Sequence, residues 1–128
     1  MQETFTHEPD NLVISGGMPA VTININVASG IVERGTLLSF VSIDPTTNVV
    51  TVAPIDLTSA NAEEKLPFCI AQHHIDASKK ASRGTAWATG MFNSRKVILP
   101  AGVKVADVYL ACRKANLFLN YAMPNPAA

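Results

Sequence analysis

Residues 21–27, Val-Thr-Ile-Asn-Ile-Asn-Val, alternate apolar and polar without a fault. Val21, Ile23, Ile25 and Val27 share one face, and Thr22, Asn24 and Asn26 the other. This period of two predicts a half-buried strand. Ala28-Ser29-Gly30 ends it, and Glu33-Arg34-Gly35 turns the chain into a second strand over 36–43. Asp44-Pro45-Thr46-Thr47-Asn48 is a turn, because Pro fixes φ and Asp and Asn bond to nearby backbone. Val49-Val50-Thr51-Val52 completes the hairpin. The polar stretch 54–65 predicts a surface loop. Short strands are expected at 67–71 and at 85–89, the latter closed by Gly90, with a loop at 76–84 between them.

A period near 3.6 appears only late. Val105, Val108, Cys112 and Ala115 recur at helical spacing on one face. Asp107 in the first turn and Arg113-Lys114 in the last are placed as the helix dipole favours. Asn116 is suited to the left-handed position that stops a helix. Leu117-Phe118-Leu119 predicts a last strand, and Pro124 and Pro126 mark 123–128 as a frayed tail. Residues 1–20, with Pro9, Gly16, Gly17 and Pro19, form an extended arm before a single folded domain over 21–122. Thr4-Phe5-Thr6 in that arm has strand character. Such a segment is either a disordered terminus or an arm that becomes a strand on a partner. The predicted class is mainly β with one sizeable helix.

Composition narrows the function. Ten basic and ten acidic residues cancel, which argues against nucleic acid, whose phosphates call for clustered Lys and Arg. The same balance argues against an anionic membrane surface. Charged residues are 16% of the chain, against about 25% in typical domains. A neutral, weakly charged surface promotes association, so much of it is expected to be covered in the working state. No apolar run reaches the ~18 residues of a membrane span. Met1-Gln2-Glu3-Thr4 opens no signal peptide, so the chain is expected to be made in the cytoplasm and to stay there or leave by a route other than secretion.

Chemistry is sparse. "CIAQHH", residues 69–74, offers Cys and His for a nucleophile–base pair or part of a metal site. As a strand it would put Cys69 and His73 on one face and His74 on the other, and zinc would need further ligands. Cys69 and Cys112 fit small apolar core positions, expected as reduced thiols. Gly16-Gly17 lacks the Lys and helix of a phosphate loop. Lys79, Lys80 and Arg83 fit a solvated loop, and the aromatics Phe5, Phe40, Phe68, Trp87, Phe92 and Phe118 fall in apolar contexts. No metal or cofactor is expected.

"TGMFNSRKVILPAGVKVADVYLACRKANLFL", residues 89–119, resembles the closing segment of the head decoration proteins of tailed bacteriophages, the family of lambda-type capsid cement proteins. The family pattern is a Gly-x-Phe-Asn turn, a short strand, Leu-Pro-Ala-Gly, a short helix and a brief apolar strand. Gly90, Phe92, Asn93, Leu99, Pro100, Ala101, Gly102 and Asp107 fit it, and Asn116 stands where a helix-ending Gly is usual. "ETFTH" (3–7), "NLVISGG" (11–17), "VASGIVERGTLLSFV" (27–41) and "FCIAQHHIDASKKASRGTAWATG" (68–90) follow in the family's order. Cys69, His73, His74 and the loop 54–65 depart from it.

The resemblance implies a bent β-ribbon called a β-clip. It also implies homotrimers on the outer surface of an icosahedral virion head, clamping neighbouring major capsid subunits. The partners would be that capsid protein and the chain's own copies, with no nucleic acid or membrane and no catalysis. Thr4, Phe5, Thr6 and His7 would be capsid-binding; Gly90, Phe92, Asn93, Pro100, Gly102 and Asn116 would be the structural motif. The alternatives are a small virion-surface adhesin, or an enzyme dependent on Cys and His.

Overall fold

The computed structural model of the chain describes residues 12–14 and 19–120. Among them run β1 (Val21–Val27), β2 (Gly30–Val32), β3 (Leu37–Ile43) and β4 (Val50–Pro54). A short 3-10 helix (Ala62–Lys65) follows, then β5 (Cys69–Ala71), β6 (Ile75–Ala77), β7 (Ser82–Asn93), α1 (Val105–Lys114) and β8 (Leu117–Asn120). The fold is mainly β with one helix, as the periodicities predict.

The main sheet runs β1-β4-β3-β5-β7-β8, and β1 also pairs with β7. That extra pairing closes the first five strands into a small barrel and leaves β8 outside it. β1 and β4 are parallel, as are β7 and β8; the remaining barrel pairs are antiparallel. β2 and β6 form a separate two-stranded ribbon. β7 is the spine, with β1 along Ser82–Thr89, β5 at Ala86 and Trp87, and β8 along Gly90–Asn93. Parallel strands need a long crossover, and α1 supplies it between β7 and β8.

Alternation along the strands sorts apolar side chains into two cores. Ile25 and Val27 of β1, Leu38, Val50, Val52, Cys69, Ala71 and Ala86 fill the barrel, joined by Val32, Ile75 and Ala77 of the small ribbon. The neighbours Leu37, Ile70 and Trp87 point the other way, into a second core beneath α1. There they meet Leu12, Ile55, Phe92, Val97, Val108, Cys112, Leu117 and Leu119. Each large side chain so buried contributes about 1.5–3 kcal/mol. β3, β5 and β7 are therefore apolar on both faces, whereas β1 and β4 keep one face toward water.

The helix starts and stops as expected. The Asp107 carboxylate accepts the Lys104 N–H at 2.8 Å, satisfying one of the donors a helix start leaves open. Val108 and Cys112 are buried on the predicted face, and Asn116 sits at φ 66 just past the end.

Several expectations are corrected. The segment 76–84 is not a plain loop: it holds most of β6 and the start of β7. Gly90 does not close a strand; β7 runs through it to Asn93, so Phe92 and Asn93 are strand residues before a turn. The loop 54–65 contains the 3-10 helix, and its Ile55 is buried. The strand at 67–71 is confined to Cys69–Ala71. The arm does not extend to residue 20 as a free segment, because Leu12 is 1% exposed in the second core. Leu12 belongs to the folded body.

Candidate functional site at the end of the central strand

The sequence motif gathers at the last third of β7. Gly90 has φ 147, and a Cβ on it would lie 3.0 Å from Phe92 Cζ. Both backbone and space therefore disfavour a side chain. The Phe92 ring is fully buried and lies 5.6 Å from the Trp87 ring, tilted by 53°. Asn93 is also buried. Its side-chain oxygen accepts the Arg95 N–H at 3.1 Å, and its carbonyl accepts the Lys96 N–H at 2.9 Å. These bonds turn the chain off the sheet, the usual work of an Asn at a turn.

Two segments flank this strand end. On one edge is β8, where Gly90 N–H donates to the Asn116 carbonyl at 3.2 Å and Ser94 N–H to the Asn120 carbonyl at 2.8 Å. On the opposite edge lie residues 12–14. Val13 bridges Phe92 in antiparallel sense. Ile14 N–H donates to the Met91 carbonyl at 2.8 Å, and Asn93 N–H to the Leu12 carbonyl at 2.7 Å. The chain is thus clamped immediately after its N-terminal segment, at the position of the motif.

The run that follows returns to β3. Val97 is buried and Ile98 exposed. Ile98 N–H donates to the Gly35 carbonyl at 2.8 Å, and Leu37 N–H to the Ile98 carbonyl at 3.1 Å. The short strand expected near 97–99 is only an isolated parallel bridge between Thr36 and Ile98. Arg95 and Lys96 lie exposed beside it. Val103 N–H then donates to the Pro100 carbonyl at 3.0 Å. Gly102 occupies the third turn position, where positive φ is needed; its φ is 83, and a Cβ added to it would meet nothing within 4 Å.

Of the predicted site residues, the structure therefore brings Gly90, Phe92, Asn93 and Asn116 together around one strand end. Pro100 and Gly102 form the turn that leads into α1. Thr4, Phe5, Thr6 and His7 lie outside the described residues. Sequence reasoning missed Leu12 and Ile14 as part of the body; the signal was the apolar run Leu12-Val13-Ile14 between polar neighbours.

The Cys–His segment resolves into separate roles. Cys69 sits in the barrel core, where burial pushes its thiol up to about 12. Cys112 is in the other core with its thiol likewise raised to about 12. Both are free thiols. His73 Nε2 lies 2.7 Å from Thr85 Oγ1, and His74 Nδ1 lies 2.8 Å from Glu33 Oε1. The hydrogen bond and charge of Glu33 raise the pKa of His74. The expectation that Cys69 and His73 share a strand face does not hold, since β5 ends at Ala71. Among the described residues, no three His, Cys, Asp or Glu side chains converge as metal ligands would.

Among the described residues no helix is long and apolar enough to cross a membrane. Compared with known proteins, the chain matches no family model and no curated protein.

Proposed function

We propose that the chain is a structural virion protein that decorates a tailed-phage head. In this reading it sits as a homotrimer on the outer surface and clamps neighbouring major capsid subunits. The observation that carries the reading is the clamp at Leu12–Ile14. It fixes the root of the N-terminal segment against the same strand end, Gly90–Asn93, that bears the decoration-like motif. A segment held at its root can add a strand to an exposed sheet edge of a capsid subunit. Thr4, Phe5, Thr6 and His7 are the proposed contact, with Phe5 as anchor.

The motif residues support this reading because Gly90, Phe92, Asn93, Gly102 and Asn116 serve joints and turns of the backbone. β7, which changes partners from β1 to β8 at Gly90, is the element in which a β-clip ribbon would bend. Three arms on one trimer would reinforce weak single contacts through effective concentration.

The test is to mix purified protein with undecorated expanded heads built from the capsid protein of the same phage, pellet them, and quantify bound chains. Saturation at a number divisible by three, matching three-fold positions, is the expected result. Absence of binding, or a count matching only five-fold vertices, overturns it.

A further inference from the structure

One stripe of α1 faces solvent. Asp107, Leu110, Ala111 and Lys114 recur at i, i+3, i+4 and i+7, so they share one side of the helix. Val108 and Cys112 turn a different side into the core. Leu110 is 65% exposed, and Leu66, near it, is 53% exposed. With Leu66, Pro67 and Ala115, the stripe lines an open hollow of about 540 Å³ beside the helix. Among the described residues that line it, the charges are Asp107 at one end and Lys114 at the other. Arg113 is directed elsewhere, with its guanidinium 5.5 Å from the Phe118 ring centre.

The order of the stripe is acid, Leu, Ala, base, and its midpoint falls between Leu110 and Ala111. The charged ends are about 10 Å apart along the helix axis. A second α1 laid antiparallel across that midpoint brings its Lys114 to Asp107 and its Asp107 to Lys114. Its Leu110 meets Ala111, whose small side chain leaves the hollow open to it. A two-fold contact must be self-complementary, and this stripe has the required pattern. A partner of one charge would be repelled at one end. Asp107 accepts the Lys104 N–H of its own helix, but an ionised carboxylate has capacity for further donors.

We propose that two copies of the chain pair through α1, antiparallel about a two-fold axis between Leu110 and Ala111, each Leu110 seated in the other copy's hollow. A contact centred on a helix of 10 residues falls short of the ~800 Å² per partner of a standard interface. The pairing is therefore reversible and grows with concentration. It is independent of the decoration role and of the three-fold contact which that role requires.

Sedimentation equilibrium from about 1 μM to about 1 mM tests it, the range in which weak contacts form. The mean mass should rise with concentration. Leu110→Glu, at an exposed position, should keep the wild-type melting temperature and abolish the rise. Lys114→Glu makes both end contacts repulsive and should weaken association at least about tenfold. Asp107→Lys should do the same. An equimolar mixture of these two charge variants, both folded by circular dichroism, should recover the association, because each end then meets its opposite. A mass that stays constant overturns the proposal. So does a rise that persists in Leu110→Glu, which would belong to another surface, such as the trimer contact of the decoration reading. Failure of the folded mixture to recover overturns the antiparallel pairing.

Discussion

The barrel core and the core beneath α1 are built from the chain in different ways. The barrel core draws on strands that alternate, such as Ile25 and Val27 of β1 and Val50 and Val52 of β4, set one beside the other in register. The core beneath α1 collects single residues from segments far apart: Leu12, Ile55, Val97, Val108 and Leu117. Each arrives from a different loop, turn, helix or strand. The first core depends on a repeating pattern. The second depends on joints, and the joints are where Phe92, Asn93, Pro100 and Gly102 lie.

The difference makes the second core fragile at its centre. Val108→Asp puts an unpaired carboxylate among buried apolar groups, which costs several kcal/mol, out of the ~5–15 kcal/mol that holds a domain. The variant should fail to fold cooperatively in thermal melts. Phe92→Ala should destabilise by about 3–5 kcal/mol, against about 0.5–1.5 kcal/mol for Ile25→Val in the barrel. Chemical denaturation of both variants would show whether the joint at Phe92 outweighs a trimmed methyl in the barrel. Similar losses would mean that the strand end is not a special point.

The two glycines of the motif sharpen the same comparison. Gly90 has positive φ and a ring 3.0 Å from its would-be Cβ, whereas Gly102 has positive φ and open space. Gly90→Ala should therefore cost clearly more than Gly102→Ala, for which about 1 kcal/mol of backbone strain is expected. Equal melting shifts would show that the Phe92 ring moves aside freely.

Outside both cores the effects become small. The His74 pKa is raised above 6.5 by the hydrogen bond to Glu33 and by its charge. The folded state thus binds the proton more tightly. This contribution is fully present below the unfolded histidine value and is lost as pH rises through the higher folded value. Both side chains are more than half exposed, so solvent screens the pair. The melting-temperature difference between the wild type and His74→Gln should be slight near pH 6 and vanish toward pH 8 or above. A difference that grows with pH would reverse the assigned cause.

The contrast between the cores also explains what is legible in the sequence. β1, the β3–β4 hairpin and α1 stand out because several residues repeat one period, and Asn116 marks the helix end by its tolerance of positive φ. β2 and β6, at three residues each, are too short for a period to show. In the sequence β7 reads as ending at Gly90 because glycine ordinarily weakens a strand; in the fold that glycine makes room for the Phe92 ring. Leu12 reads as part of an arm because its partners, among them Phe92, Val108 and Leu117, lie far along the chain. The joint residues Phe92, Asn93 and Gly102 are singled out by the resemblance, while their hydrogen-bond partners depend on chain reversals that no local pattern reveals.

The central claim is a proposed division of labour between the folded body, to which Leu12 belongs, and an N-terminal segment that we propose binds the head. Deleting residues 2–10 and measuring both thermal melting and co-pelleting with undecorated heads tests it most directly. The account predicts a melting temperature within about 2 °C of the full chain, together with loss of head binding. A truncated chain that still saturates heads with unchanged affinity would contradict it.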